Sequence, residues 1–317
     1  MLDAGADPLV DQRGRVGRLH VPEPPAAGLV VPGHPGRYAH RQIPTWPRPT
    51  STTPGGRWAA ETRGRGPRLV LAHGFTQTGG IWGPMAADLA TDHQLVLVDM
   101  PGHGRSAAVR ADLDAGARLL SAVGGSGTYL GYSMGARFCL HAALAFPDRV
   151  RSLILISGTA GIEDDALRRQ RVAADEALAG ELDPAVGTGV DADDQERLDA
   201  FLRRWLSLPL FAGIPAADAG LALRRTNTPA GLASSLRLAG TGTQRPLWDE
   251  LPGLQMPVLV ITGQRDEKFT ALGRRMARAI GDNATHVAVP GVGHTAHMED
   301  PRRVGDLVRA HLRAHPG

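Results

Sequence analysis

Five consecutive residues, Gly131-Tyr132-Ser133-Met134-Gly135, put a serine where it could do chemistry. The apolar pair Tyr129-Leu130 precedes them, and a helical pattern from Arg137 to Phe146 follows. A G-x-S-x-G turn between a strand and a helix is a nucleophile elbow, which holds the serine hydroxyl out at the tip of a tight bend. A side chain at Gly131 or Gly135 would clash in such a bend. A helix starting at Met134 would aim its free backbone N–H groups at the same spot, ready for a developing negative charge. A serine hydroxyl is a poor base or nucleophile alone; it needs a histidine within reach and a carboxylate to orient that histidine. In elbow-type enzymes these follow in the order serine, acid, histidine, each after a late strand. Asp266 in Gly263-Gln264-Arg265-Asp266 and His294 in Pro290-Gly291-Val292-Gly293-His294 meet that condition. Of the twelve histidines, three others sit where they could compete. His297 lies three residues beyond His294, His103 sits in Pro101-Gly102-His103-Gly104, and His73 directly precedes Gly74-Phe75. The Phe75 N–H is the natural second oxyanion donor beside that of Met134.

The elements that must position these groups are legible as short apolar runs: 68–72, 95–98, 129–130, 153–156, 258–261 and 287–289. Amphipathic helical stretches separate most of them. Continuous apolar strands alternating with helices predict a parallel sheet buried on both faces. The alternation breaks once, between Ser157 and Pro257. Helical patterns there cover Asp164 to Ala179, Asp194 to Ser207, Ala216 to Arg225 and Leu232 to Leu238. A helical insertion at that point predicts a lid over the carboxyl ends of the strands, where such sheets bind ligands.

Composition excludes several classes. The chain has 317 residues and one cysteine, Cys139, so neither an intramolecular disulfide nor a cysteine metal site can form, and the cytoplasm is the expected compartment. The apolar runs are far too short to span a membrane. Residues 1–66 hold nine Arg against five acids, whereas the rest of the chain is nearly balanced, with 26 basic and 27 acidic groups. With no basic stripe interleaved with aromatics, the charge does not point to nucleic acid. The same 66 residues contain ten of the 24 prolines and little apolar periodicity. They are expected to form a disordered leader, with the true translation start further in. Of 35 basic residues, 34 are Arg and one, Lys268, is Lys; a lone lysine in such a chain marks a place where Arg would not serve, or a chance surface position.

His73-Gly74-Phe75, Asp99-Met100-Pro101-Gly102-His103-Gly104-Arg105-Ser106, the Ser133 elbow, the Asp266 turn and Gly293-His294 together resemble the α/β-hydrolase superfamily over residues 67 to 315. The resemblance implies a mostly parallel, doubly wound sheet with a helical lid inserted before the late strands. The expected organisation is a leader over 1–66, core over 67–158, lid over 159–240 and core again over 241–317. A narrower resemblance lies in the cations. Tyr132 to Arg137, Ala166 to Arg171, Arg224 to Ala233 with Ser235-Leu236-Arg237, Gly240 to Gln244, and Gly263 to Phe269 are similar to 2-succinyl-6-hydroxy-2,4-cyclohexadiene-1-carboxylate synthases of menaquinone biosynthesis.

That resemblance implies a substrate with three carboxylates. Arg137 lies one helical turn beyond Ser133, and helical side chains lean toward the N-terminus, so its guanidinium is expected near the serine. Ester hydrolysis needs no cation there, whereas a buried carboxylate requires paired donors. Arg137, Arg169, Arg224 and Lys268 are the candidates. Arg168 or Arg171 could take the place of Arg169, and Arg225 or Arg237 that of Arg224. Tyr132, Trp205 and Phe211 are implied to line the ring pocket, the latter two alternatively serving as lid core. The chemistry implied is pyruvate elimination, with Ser133, His294 and Asp266 removing a proton and with no metal or organic cofactor. The alternatives are a serine hydrolase (esterase, lactonase or C–C hydrolase) acting on an anionic small molecule, and a binding protein that kept only the fold.

Overall fold

The structure is a computed structural model and describes residues 50–53, 56–183, 193–215 and 219–315. Eight strands form one sheet: β1 (Thr50–Thr53), β2 (Gly56–Arg63), β3 (Arg68–Ala72), β4 (Gln94–Val98), β5 (Gly127–Tyr132), β6 (Val150–Ile156), β7 (Val258–Gly263) and β8 (Ala284–Val289). Their spatial order is β1-β2-β4-β3-β5-β6-β7-β8. β1 and β2 pair antiparallel with each other and β2 with β4, while every other neighbouring pair is parallel.

Both faces of the sheet are dry. Val70 and Ala72 of β3 join a core with Leu113, Ala117, Phe138 and Met276. Those four belong to α2 (Leu113–Gly124), α3 (Met134–Ala145) and α8 (Glu267–Ile280). Leu69 and Leu71 point the other way, into a second core with Trp82, Met85, Leu89, Val304 and Val308. That side is built by α1 (Gly83–Leu89) and α10 (Pro301–Ala314). Alternate residues of one strand thus feed two cores, which is why these strands read as unbroken apolar runs. Burial of each Leu or Val contributes about 1.5–3 kcal/mol, so the sheet is a rigid platform for the loops at its edge.

The expected leader is too long. Residues 50–53 and 56–63 are strands, and Trp58 and Ala60 are buried in the first core. The Ala59 N–H donates to Ser106 Oγ at 2.9 Å, and the Ala59 carbonyl accepts the Asp99 N–H at 3.0 Å. An outer antiparallel hairpin needs no long apolar run, and nine of the ten prolines that suggested disorder precede Thr50. The rest of that expectation concerns residues 1–49, which lie outside the described residues.

Between β6 and β7 lie α4 (Asp165–Leu182), α5 (Asp194–Leu206), α6 (Leu221–Arg224) and α7 (Pro229–Ala239). Each is close to its expected span except α6, which is shorter; residues 216–218 of that expectation are outside the described residues. Their caps are those the sequence offers. Asp164 accepts from the Leu167 N–H and Thr228 from the Gly231 N–H, with Pro229 at the first helical position. Leu182, Leu198, Leu202, Leu232 and Leu236 give this insertion a small core of its own. It rests on the loops after β3 and β4: Asn227 takes the Thr76 carbonyl with its amide N–H at 2.8 Å and the Gly104 N–H with its oxygen at 2.8 Å.

Candidate active site

Ser133 sits between the last residue of β5 and the first of α3, with φ of 50° and ψ of −107°. No side chain adopts that conformation without strain, and the surrounding packing holds it there. A Cβ on Gly131 would run into the Gly135 carbonyl, and one on Gly135 into the Ala72 carbonyl. Both glycines are therefore demanded by close backbone approach. His294 Nε2 lies 3.2 Å from Ser133 Oγ, and its Nδ1 lies 2.7 Å from Asp266 Oδ2. With Nδ1–H donating to the carboxylate, Nε2 is left as the acceptor facing the serine. Asp266 is also the N-cap of α8, accepting the Phe269 N–H at 3.2 Å through its other oxygen. One carboxylate thus serves both the helix and the histidine. Edge contact of the Phe269 ring with His294, at 4.4 Å between centroids, closes the other side of the imidazole.

The Phe75 and Met134 N–H groups make no backbone hydrogen bond among the described residues. The loop carrying Phe75 is held by the two rival histidines. His73 Nδ1–H donates to the Gly74 carbonyl at 2.8 Å while its Nε2 accepts the Met100 N–H at 2.9 Å. His103 Nδ1–H donates to the Pro101 carbonyl at 2.9 Å while its Nε2 accepts the Thr76 N–H at 3.2 Å. Each ring is a neutral connector with both nitrogens engaged, and neither reaches Ser133. Thr76 adopts φ of 65°, a conformation these bonds enforce. Burial lowers His73 to about 4 and His103 to about 3. His297 is also lowered to about 3 by burial, with Arg224 and His294 adding to it. The His297 ring packs on Trp82 and Tyr132, and both its nitrogens lack a partner among the described residues.

These three rings predict that the fold loses stability in acid. Each has a folded-state value below the ordinary 6.5, so between the two values the unfolded chain binds more protons. Stability is expected to be full above about pH 6.5 and to fall as pH drops toward 4, by roughly 2 kcal/mol per ring at about pH 5. Melting temperatures across that range check this, and His103→Gln should flatten the slope. A wild-type profile as flat as the variant's would count against the neutral assignment.

The structure sorts the expected cations. Arg224 is fully buried. Its Nε donates to the Ala219 carbonyl at 2.8 Å, Nη1 donates to the Thr76 hydroxyl, and Nη2 has no partner among the described residues. Burial lowers it to about 10, so it stays charged at neutral pH. Arg137 is buried too. Nη1 donates to the Gly240 carbonyl at 3.1 Å, at the negative end of α7. It lies beside Arg171 and Asp175, and burial followed by Arg171 lowers it to about 10.

Arg169 is exposed and makes no ion pair among the described residues. The inward stripe of α4 runs through Asp175, Ala179 and Leu182, and the half-buried Arg171 holds Asp175 through Nε at 2.8 Å. Lys268 is exposed as well, off the buried stripe of α8 formed by Thr270, Gly273, Met276 and Ile280. Arg225 pairs with Asp199, and Arg237 with Glu176 and Asp183, on the outside of the insertion.

The three aromatics expected around a ring pocket pack as follows. The Tyr132 ring lies under Gly74, 5.5 Å from His294. Trp205 meets Phe75 edge-on at 5.2 Å, with Phe211 behind it at 5.7 Å. Its indole N–H is buried without a partner among the described residues. Sequence reasoning missed Asn227 and Asp175, which fasten the insertion to the loops and to the arginines. Asn227, placed just before the Thr228 cap of α7, was the available signal.

A strained serine at the edge of a doubly wound parallel sheet, hydrogen-bonded to a histidine and through it to a carboxylate, defines a class of protein. A family profile for the alpha/beta hydrolase fold matches residues 67–301, and the chain belongs to that family. Among its relatives is a Bacillus subtilis (strain 168) protein, provisionally named as a 2-succinyl-6-hydroxy-2,4-cyclohexadiene-1-carboxylate synthase. The two are 32% identical over 77% of this chain and 89% of that protein. A pimeloyl-[acyl-carrier protein] methyl ester esterase of Xanthomonas oryzae pv. oryzae is 31% identical over 80% of this chain and 98% of its own length. The solved structure of MenH from S. aureus superposes with a TM-score of 0.73 at 26% identity, covering 81% of this chain and 99% of that one. No helix among the described residues is long and apolar enough to cross a membrane.

Proposed function

We propose that this enzyme is a lyase that eliminates pyruvate from 2-succinyl-5-enolpyruvyl-6-hydroxy-3-cyclohexene-1-carboxylate, a step of menaquinone biosynthesis. The observation that carries the reading is Arg224: a fully buried guanidinium that, among the described residues, has one N–H pair unused and no carboxylate beside it. A buried, unpaired cation is costly in the empty protein, and its retention fits an anionic group arriving with the substrate. An ordinary ester would leave that charge uncompensated.

In this reading Asp266 orients His294, and His294 takes the Ser133 proton. Ser133 in turn removes the ring proton alpha to the succinyl ketone. The enolate oxygen lies between the Phe75 and Met134 N–H groups, each contributing about 3–4 kcal/mol to the transition state. The enolate electrons return to form the new ring double bond and expel the enolpyruvyl oxygen, and the departing enolpyruvate takes up the proton held by His294 to leave as pyruvate. Arg224 meets one carboxylate, and the Arg137–Arg171 pair, only half neutralised by Asp175, meets another. Trp205 and Tyr132 flank the ring, and the inserted helices act as the lid that keeps water out.

The likeness to the pimeloyl ester esterase supports a second reading, a serine hydrolase of an anionic ester using the same residues. Pyruvate release from the enolpyruvyl substrate, followed by a coupled reductase, decides between them. The lyase should release pyruvate stoichiometrically, with no acyl group on Ser133 detectable by mass spectrometry of the quenched enzyme. Capture of an acyl-Ser133 from that substrate, or no pyruvate at all, would favour the hydrolase.

A further inference from the structure

The backbone that carries His294 is tied on both sides by side chains outside the Ser133–His294–Asp266 chain. The Glu299 carboxylate accepts the Gly293 N–H at 2.8 Å on one oxygen. Its other oxygen accepts the Thr295 hydroxyl at 2.8 Å and the Thr295 N–H at 3.3 Å. From the end of β6, the Ser157 hydroxyl donates to the His294 carbonyl at 2.8 Å. The Gly293 N–H and both polar ends of the His294–Thr295 peptide are therefore fixed. Ser157 is fully buried and adopts φ of 49°, where glycine would be easier by about 1 kcal/mol or more. What a serine offers there and a glycine lacks is the hydroxyl on His294.

Glu299 also meets the insertion. Gly213, just after the short turn Pro209–Phe211, runs so close that any Cβ on it would overlap the Glu299 carboxylate. The His294 ring is faced by Asp266 at the start of α8, by Tyr132 and Ser133 at the end of β5, and by His297 from α9 (Ala296–Glu299). Glu299 is thus the second carboxylate at this loop, held next to the histidine backbone.

We propose that Glu299 and Ser157 are positioning residues for His294, and that Gly213 lets the lid seat directly against the Glu299 carboxylate, so that a seated lid and an aligned base are one state. This rests on the reading of His294 as the base and is independent of whether the reaction is elimination or hydrolysis. At 3.2 Å the Ser133–His294 contact has little slack, so a small rotation of the loop disconnects it.

The test uses the whole chain and a fluorophosphonate probe, whose reaction with Ser133 over roughly pH 5 to 9 follows neutral His294 without any natural substrate. Glu299→Gln should lower the plateau rate about tenfold and move the midpoint down by about half a unit or more, because one negative charge is gone. Ser157→Ala and Gly213→Ala leave that charge in place. They should lower the plateau about three- to tenfold with the midpoint unmoved. An unmoved midpoint in Glu299→Gln, or plateaus within about twofold of wild type in both other variants, overturns the proposal. If Glu299→Gln does not fold, the other two plateaus decide it. A wild-type chain that never reacts overturns instead the assignment of the base on which this rests.

Discussion

Replacing Arg224 with methionine is expected to make the protein more stable and nearly inactive at once. The guanidinium is fully buried, and among the described residues its two occupied nitrogens are met by a carbonyl and a hydroxyl, with no carboxylate. Burial of an ion costs several kcal/mol, and neutral acceptors return part of that. Methionine fills a similar volume without a charge, although it leaves the Ala219 carbonyl and Thr76 hydroxyl without their donor. A net gain of about 1–2 kcal/mol follows, or a melting temperature higher by a few degrees. Activity should move the other way. Loss of a charge-assisted, forked contact to a substrate carboxylate should cost about a hundred- to a thousandfold in kcat/KM. Arg224→Lys keeps the charge without the fork and should fall between. A methionine variant that melts lower than wild type yet keeps its kcat/KM would make Arg224 a structural strut and remove the main support for an anionic substrate.

Ser133→Ala should lower kcat by about four orders of magnitude or more while leaving substrate affinity nearly intact, because the groups around the ring and carboxylates remain. Ser133→Gly should be as inactive and more stable, by about 1 kcal/mol, since glycine accepts φ of 50° freely. Thermal melts and steady-state rates measured on the two variants together separate chemistry from strain. Residual activity above about one percent of wild type in either would mean that Ser133 is not the reacting group.

The contrast between these two sites shows what could be read from the residues alone. Ser133, Asp266 and His294 each lie on a short turn directly after an apolar strand. Strand order brings those turns together whatever the side chains elsewhere do. Phe75 and Met134 follow from the same backbone logic. The cations do not. Whether Arg169 or Arg171 faces inward depends on how α4 is rotated against α7, which its own helical period leaves open. The acceptors of a buried guanidinium such as Arg137, the Gly240 carbonyl with Asp175 nearby, lie about a hundred residues and about forty residues along the chain, so its own helix does not reveal them. The antiparallel edge β1–β2 was hidden for a different reason: an outer hairpin carries a weak pattern, and proline-rich sequence runs right up to it.

The helical insertion leaves β6 and departs into β7, yet those two strands are hydrogen-bonded neighbours, with Leu153 beside Val258 and no register shift along the pair. The sheet therefore closes beneath the insertion as though it were absent. Loop-closure entropy grows only with the logarithm of length, so doubling the insertion would cost about 0.6 kcal/mol and halving it would return about the same. Evolution can rewrite the whole insertion on this platform for less than many single core mutations cost. Relatives that share the serine, the histidine and the sheet are free to part company in what they bind.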